Sequence, residues 1–94
     1  MRKKIYTLID MELKKAKEKH PFFPLDAVGR CSIMSEEAGE ATQVANDIVF
    51  EGLDDAEHRA KLKAEVLQTA CVCVRILEAM ETEEKQNEKK RTID

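Results

Sequence analysis

Aromatic side chains and backbone breakers are scarce in this chain. Its 94 residues hold no tryptophan, one tyrosine, three phenylalanines, two prolines and three glycines. With so few turn-forming residues, and no period-two alternation that persists, long helices are expected rather than strands. No apolar run approaches the roughly 20 residues that span a bilayer, and the basic N-terminus lacks an apolar stretch of signal-peptide length. Positive charge is not in excess: 16 basic against 19 acidic residues leave a net charge of −3, so no field draws in nucleic acid. The basic clusters Arg2-Lys3-Lys4, Lys14-Lys15-Ala16-Lys17 and Lys89-Lys90-Arg91 each have acids nearby and read as solvated helix faces. The cysteines, Cys31, Cys71 and Cys73, are odd in number, and two lie one residue apart in an apolar run, which is not a disulfide framework. They are expected to be small core residues in a reducing, cytoplasmic setting. Zinc lacks ligands, because there is no second thiol pair and His20 and His58 lie elsewhere.

What is present is charge, on 37% of residues, and helical periodicity. The spacing predicts three helices. The first covers roughly residues 2–19, with Ile5, Ile9, Leu13 and Ala16 as its apolar stripe and Leu8 beside it. Pro21 and Pro24 end it, since proline lacks the amide hydrogen and restricts the residue before it. The linker His20-Pro21-Phe22-Phe23-Pro24-Leu25 holds two of the four aromatic side chains, more than a solvated linker needs. The second helix is expected from an N-cap at Asp26 to a C-cap near Gly52, packed through Ala27, Cys31, Met34, Ala38, Ala41, Ala45 and Ile48. The third begins near Asp54 or Asp55 and runs to about Glu84. Its stripes are Leu62, Val66, Thr69, Cys73, Ile76 and Met80, and then Leu67, Ala70, Val74 and Leu77. Apolar character on two faces of residues 66–77 implies burial on most sides, one of them against another subunit. The charged stretch from Glu83 to Asp94 is expected to fray, leaving one helical domain over residues 1–85 and a charged tail over 86–94. A chain this short buries only roughly 60 to 65% of its unfolded surface. The expected fold is therefore an all-α bundle of three main helices whose homodimer completes a four-helix core, with a tetramer as a further step.

One constellation carries chemistry. At about 100° per residue, Glu37 and Glu40 fall about 60° apart on the second helix. Glu37 borders the apolar seam, Asp47 returns close to the Glu40 direction, and Glu36 points more towards solvent. Glu65 and Gln68 form a matching pair on the third helix, where a glutamate at the start of so apolar a segment is expensive unless paired or metal-bound. Glu36, Glu37 and Glu40 alone could form an ordinary solvated face. Two such pairs on two packed helices could instead surround a hard cation.

Ser35-Glu36-Glu37-Ala38-Gly39-Glu40-Ala41, followed by Glu65-Val66-Leu67-Gln68 in an apolar helix, resembles the EExxE…ExxD pattern of the MazG-like all-α nucleoside triphosphate pyrophosphohydrolases. The resemblance covers roughly residues 25–80, and Gln68 stands where the family has aspartate. It implies hydrolysis of a nucleoside triphosphate to the monophosphate and pyrophosphate, with Mg²⁺, or Mn²⁺ in its place, binding the phosphates and activating water. Glu36 and Glu37 would be the catalytic residues. Glu37, Glu40 and Glu65 would ligate metal, Glu36 would be an outer-sphere ligand or the base that orients water, and Gln68 would occupy the fourth ligand position. Asp47 could compensate for the uncharged Gln68 only if the second helix turned its Glu40 face inwards.

The nucleobase and sugar need a pocket, for which Phe22, Phe23, Leu25, Ile33 and Met34 are candidates, since aromatic rings stack on bases. Phe22 and Phe23 could equally plug the end of the bundle. Lys61, Lys63, Arg30 and Arg75 are candidate phosphate contacts. His20 and His58 read as a linker residue and a helix-surface residue. No glycine-rich phosphate loop and no Ser/His/Asp or Cys/His set can be assembled. The expected partners are a nucleoside triphosphate and a second copy of the chain, with neither nucleic acid nor membrane. The rival is a non-catalytic helical oligomerisation or nucleotide-sensing module on the same fold.

Overall fold

A computed structural model describes residues 1–93, with side chains through residue 91. Three helices follow in order: α1 (Arg2–Lys19), α2 (Ala27–Val49) and α3 (Ala56–Ile93). Among the described residues there is no strand, and no helix is long and apolar enough to cross a membrane.

The termini form where local chemistry places them. α1 stops two residues before Pro21, with Lys17 and Lys19 in its last turn facing the negative end of the helix dipole. The Asp26 carboxylate caps α2 by accepting from the Gly29 N–H at 2.9 Å. Gly29 has to be small, because a Cβ there would lie 2.8 Å from Asp26 Oδ1 and 3.0 Å from Pro24 Cβ. After α2, Gly52 adopts φ +70°, a left-handed conformation that suits glycine, and the Leu53 N–H closes back on the Asp47 carbonyl. Asp55 starts α3 by accepting from the His58 N–H at 2.8 Å.

α3 is the central rod. Both α1 and α2 pack on it, and they do not pack on each other. Residues 67–76 of α3 are all at least half-buried, and Cys71 is 1% exposed. The two covered faces of that stretch therefore meet α1 and α2. Among the described residues, the buried apolar side chains beside Cys71 are Leu13 and Ile48. Cys71 belonged to neither expected stripe. Its thiol donates to the Ile9 carbonyl at 3.6 Å, and burial pushes its pKa up, with the charge of Glu12 adding to the shift.

Two expectations are corrected. The inward stripe of α2 is offset from the seam of small residues: Ala27, Cys31 and Ala38 are exposed, while Arg30, Ile33, Glu37 and Val44 turn inwards with Met34, Ala41, Ala45 and Ile48. Charged Arg30 and Glu37 hid this stripe from an apolar pattern. In addition, α3 does not end near Glu84 but continues to Ile93, exposed from Met80 through Arg91, its lysines and glutamates being good helix formers. Asp94, the last residue of the expected tail, lies outside the described residues.

Arginines tie the interhelical linker down. Arg30, 5% exposed, donates through Nε to the Pro24 carbonyl at 2.8 Å and through Nη2 to Glu83 on α3 at 2.5 Å. Arg75 donates to the His20 carbonyl at 3.0 Å, and its guanidinium lies 4.6 Å from the centroid of the Phe23 ring.

Candidate functional site

The offset of α2 decides the geometry of the site. By turning the Glu37 side of α2 towards α3, it brings Glu37 and Glu40 opposite Glu65, and one carboxylate oxygen from each of the three lies within 4.8 Å of the others. Glu37 and Glu65 are half-buried and Glu40 is exposed. The surroundings of Glu37 and Glu65 disfavour their charged forms. Desolvation raises the Glu37 pKa, helped by the negative charges of Glu40 and Glu36 and opposed by His20. Desolvation also raises that of Glu65, followed by its hydrogen bond with Glu40 and the charges of Glu40 and Glu37. The donor set is all carboxylate oxygen, which matches a hard dication. A cation placed between them would remove the repulsion that the pKa shifts report.

Glu37 also belongs to a cavity of about 280 Å³ between α1, the linker, α2 and α3. Its lining includes Phe22, Phe23, Ile33, Gln68, Cys71, Val72 and Arg75. The structure thus gathers Phe22, Phe23 and Ile33 of the expected pocket next to the acidic cluster. Phe23 is half-buried under Arg75, whereas Phe22 is 93% exposed and keeps a free ring face. Met34 is half-buried without joining that lining, and Leu25 points to solvent at 89% exposure.

Other residues fall elsewhere. Glu36 is exposed and contributes no oxygen to the converging set, although its charge reaches Glu37. Asp47 accepts from Gln43 Nε2 at 3.3 Å and also stays outside the set. Lys61 is exposed and pairs with Glu57 one turn back, at 3.6 Å. Lys63 lines a different groove, between α1 and α3. Arg30 is committed to Pro24 and Glu83, a structural role in place of the expected phosphate contact. The His58 imidazole pairs through Nδ1 with the capping carboxylate of Asp55 at 2.8 Å.

Gln68 is half-buried, and its amide nitrogen donates to Glu12 Oε2 on α1 at 2.9 Å. Glu12 was missed in the sequence. The available signal was its place one turn before Ala16, on the inward side of α1. Comparisons of the chain with protein-family models, with curated proteins and with solved structures found no match.

Proposed function

We propose that this chain is a Mg²⁺-dependent nucleotide pyrophosphohydrolase of the MazG-like type, converting a nucleoside triphosphate to the monophosphate and pyrophosphate. One observation carries the reading: Glu37 is shared between a three-carboxylate cluster and an aromatic-edged cavity, so a cation site and an organic pocket adjoin. Bound between Glu37, Glu40 and Glu65, Mg²⁺ would offset the triphosphate's charge, which an acidic protein cannot do by itself. The chain's own groups supply positioning. Phe22 offers a ring face to the base, Phe23 lines the cavity beneath Arg75, and Arg75 stands on the same cavity wall as a cation for the phosphates. Water breaks the α–β phosphoanhydride bond, its oxygen joining phosphorus while the bridging oxygen leaves with pyrophosphate. The proton it gives up passes to a carboxylate, Glu36 or Glu37.

Self-association belongs to the same reading. A groove of about 400 Å³ between α1 and α3, edged by Ile5, Leu8, Ile9, Leu62, Val66 and Leu67, offers a second copy an apolar face. Its burial would extend a core of few side chains into a dimer, or on to a tetramer. The cytoplasm, reducing enough for three free thiols, is the proposed setting.

The test is pyrophosphate release across the eight common nucleoside triphosphates with Mg²⁺. Product from at least one, abolished in Glu65→Gln, is expected. Nucleotide binding with metal and no pyrophosphate at micromolar protein would leave the second reading, a nucleotide-sensing or oligomerisation module. That alternative is favoured by Gln68, which brings no charge to the cluster.

A further inference from the structure

We infer that Glu12 is a positioning residue for the acidic cluster: it orients the Gln68 amide so that the carbonyl oxygen serves the Glu37 side, and it supplies the negative charge that an amide lacks. The inference rests on the metal-binding reading above and deepens it. A carboxylate only accepts, so the Gln68 group held 2.9 Å from Glu12 Oε2 is the NH₂ end. Gln68 stands between two spaces, a cleft that it lines with Glu12 and the cavity that it lines with Glu37. With the nitrogen claimed on the first side, Oε1 is left for the second, and it is the one Gln68 atom able to ligate a hard cation. An anion hydrogen-bonded behind a ligand polarises it and raises its basicity. The Glu12 side chain is 26% exposed, and Lys15 Nζ, 3.9 Å away and 70% exposed, makes only a weak, solvated ion pair with it. Four anions, Glu12, Glu37, Glu40 and Glu65, then surround the site, one of them acting through Gln68.

Calorimetric Mg²⁺ titration of the wild-type chain, Glu12→Gln, Glu12→Ala and Glu65→Gln tests this, with melting in EDTA as the check on folding. Glu12→Gln keeps a carbonyl acceptor for Gln68, so its metal-free melting is expected to stay within a few degrees while Mg²⁺ affinity falls about tenfold. Glu12→Ala is expected to lose more, and adding Gln68→Asp to Glu12→Gln is expected to restore binding. Should Glu12→Ala fail to fold, Glu12→Gln and its double variant carry the test. Wild-type affinity in both Glu12 variants, with binding abolished in Glu65→Gln, would overturn the role of Glu12 and leave the metal site standing. No Mg²⁺ binding by the wild-type chain, or undiminished binding by Glu65→Gln, would overturn the metal site itself and this inference with it.

Discussion

Glu65 concentrates the electrostatic cost of the site. Partial burial, the hydrogen bond with Glu40 and the charges of Glu40 and Glu37 all raise its pKa. A raised carboxyl holds its proton more tightly in the folded chain than in the unfolded one. Stability therefore falls as pH rises from the ordinary carboxylate value through the raised folded values of Glu65 and Glu37. Asp54, Asp55 and Glu83 act in the opposite sense. Their pKa values are lowered by Arg59, His58 and Arg30 respectively, and the stability they contribute is lost as pH falls through those lowered values. Metal-free melting is expected to decline as pH rises from the ordinary carboxylate value through the raised values of Glu65 and Glu37, with Mg²⁺ flattening the decline. Glu65→Gln is expected to raise the metal-free melting temperature at neutral pH and to abolish the Mg²⁺-induced rise. A lower metal-free melting temperature in that variant would mean that the cluster is not repulsive.

Among the elements, the bounds of α1 and the start of α2 were the most legible features, whereas the end of α3 was not. Asp26, Pro21 and Gly52 act locally, and the bounds of α1 and the cap of α2 follow from them. The facing of α2 was less legible, because a stripe containing Arg30 and Glu37 has no apolar signature; Arg30 is held inwards by Glu83, far along the chain, while Glu37 turns inwards at an electrostatic cost. The acidic trio was readable because i, i+3 spacing fixes a helix face, and two such faces carried it. Glu12 was not readable, since its partner Gln68 lies on another helix. Chemical denaturation checks two consequences. Asp26→Ala removes the α2 cap and is expected to cost about 1 kcal/mol. Leu13→Ala empties part of a very small core and is expected to cost about 2 kcal/mol or more.

At the scale of the whole molecule, two helices laid on a longer third leave much apolar surface uncovered. Val66, Leu77 and Met80 on α3 and Ile5 on α1 are all more than 40% exposed. Sedimentation at micromolar concentration is expected to show a dimer or larger species, and Val66→Glu, which sets a charge in the α1–α3 groove, is expected to yield a folded monomer. A wild-type monomer under those conditions would contradict self-association through that face. The cation site is tested most directly by a crystal soaked with Mn²⁺ and measured for anomalous scattering. A single peak about 2 Å from a carboxylate oxygen of each of Glu37, Glu40 and Glu65 is expected. No peak there, with the three side chains spread into solvent, would contradict the site and the hydrolase reading built on it.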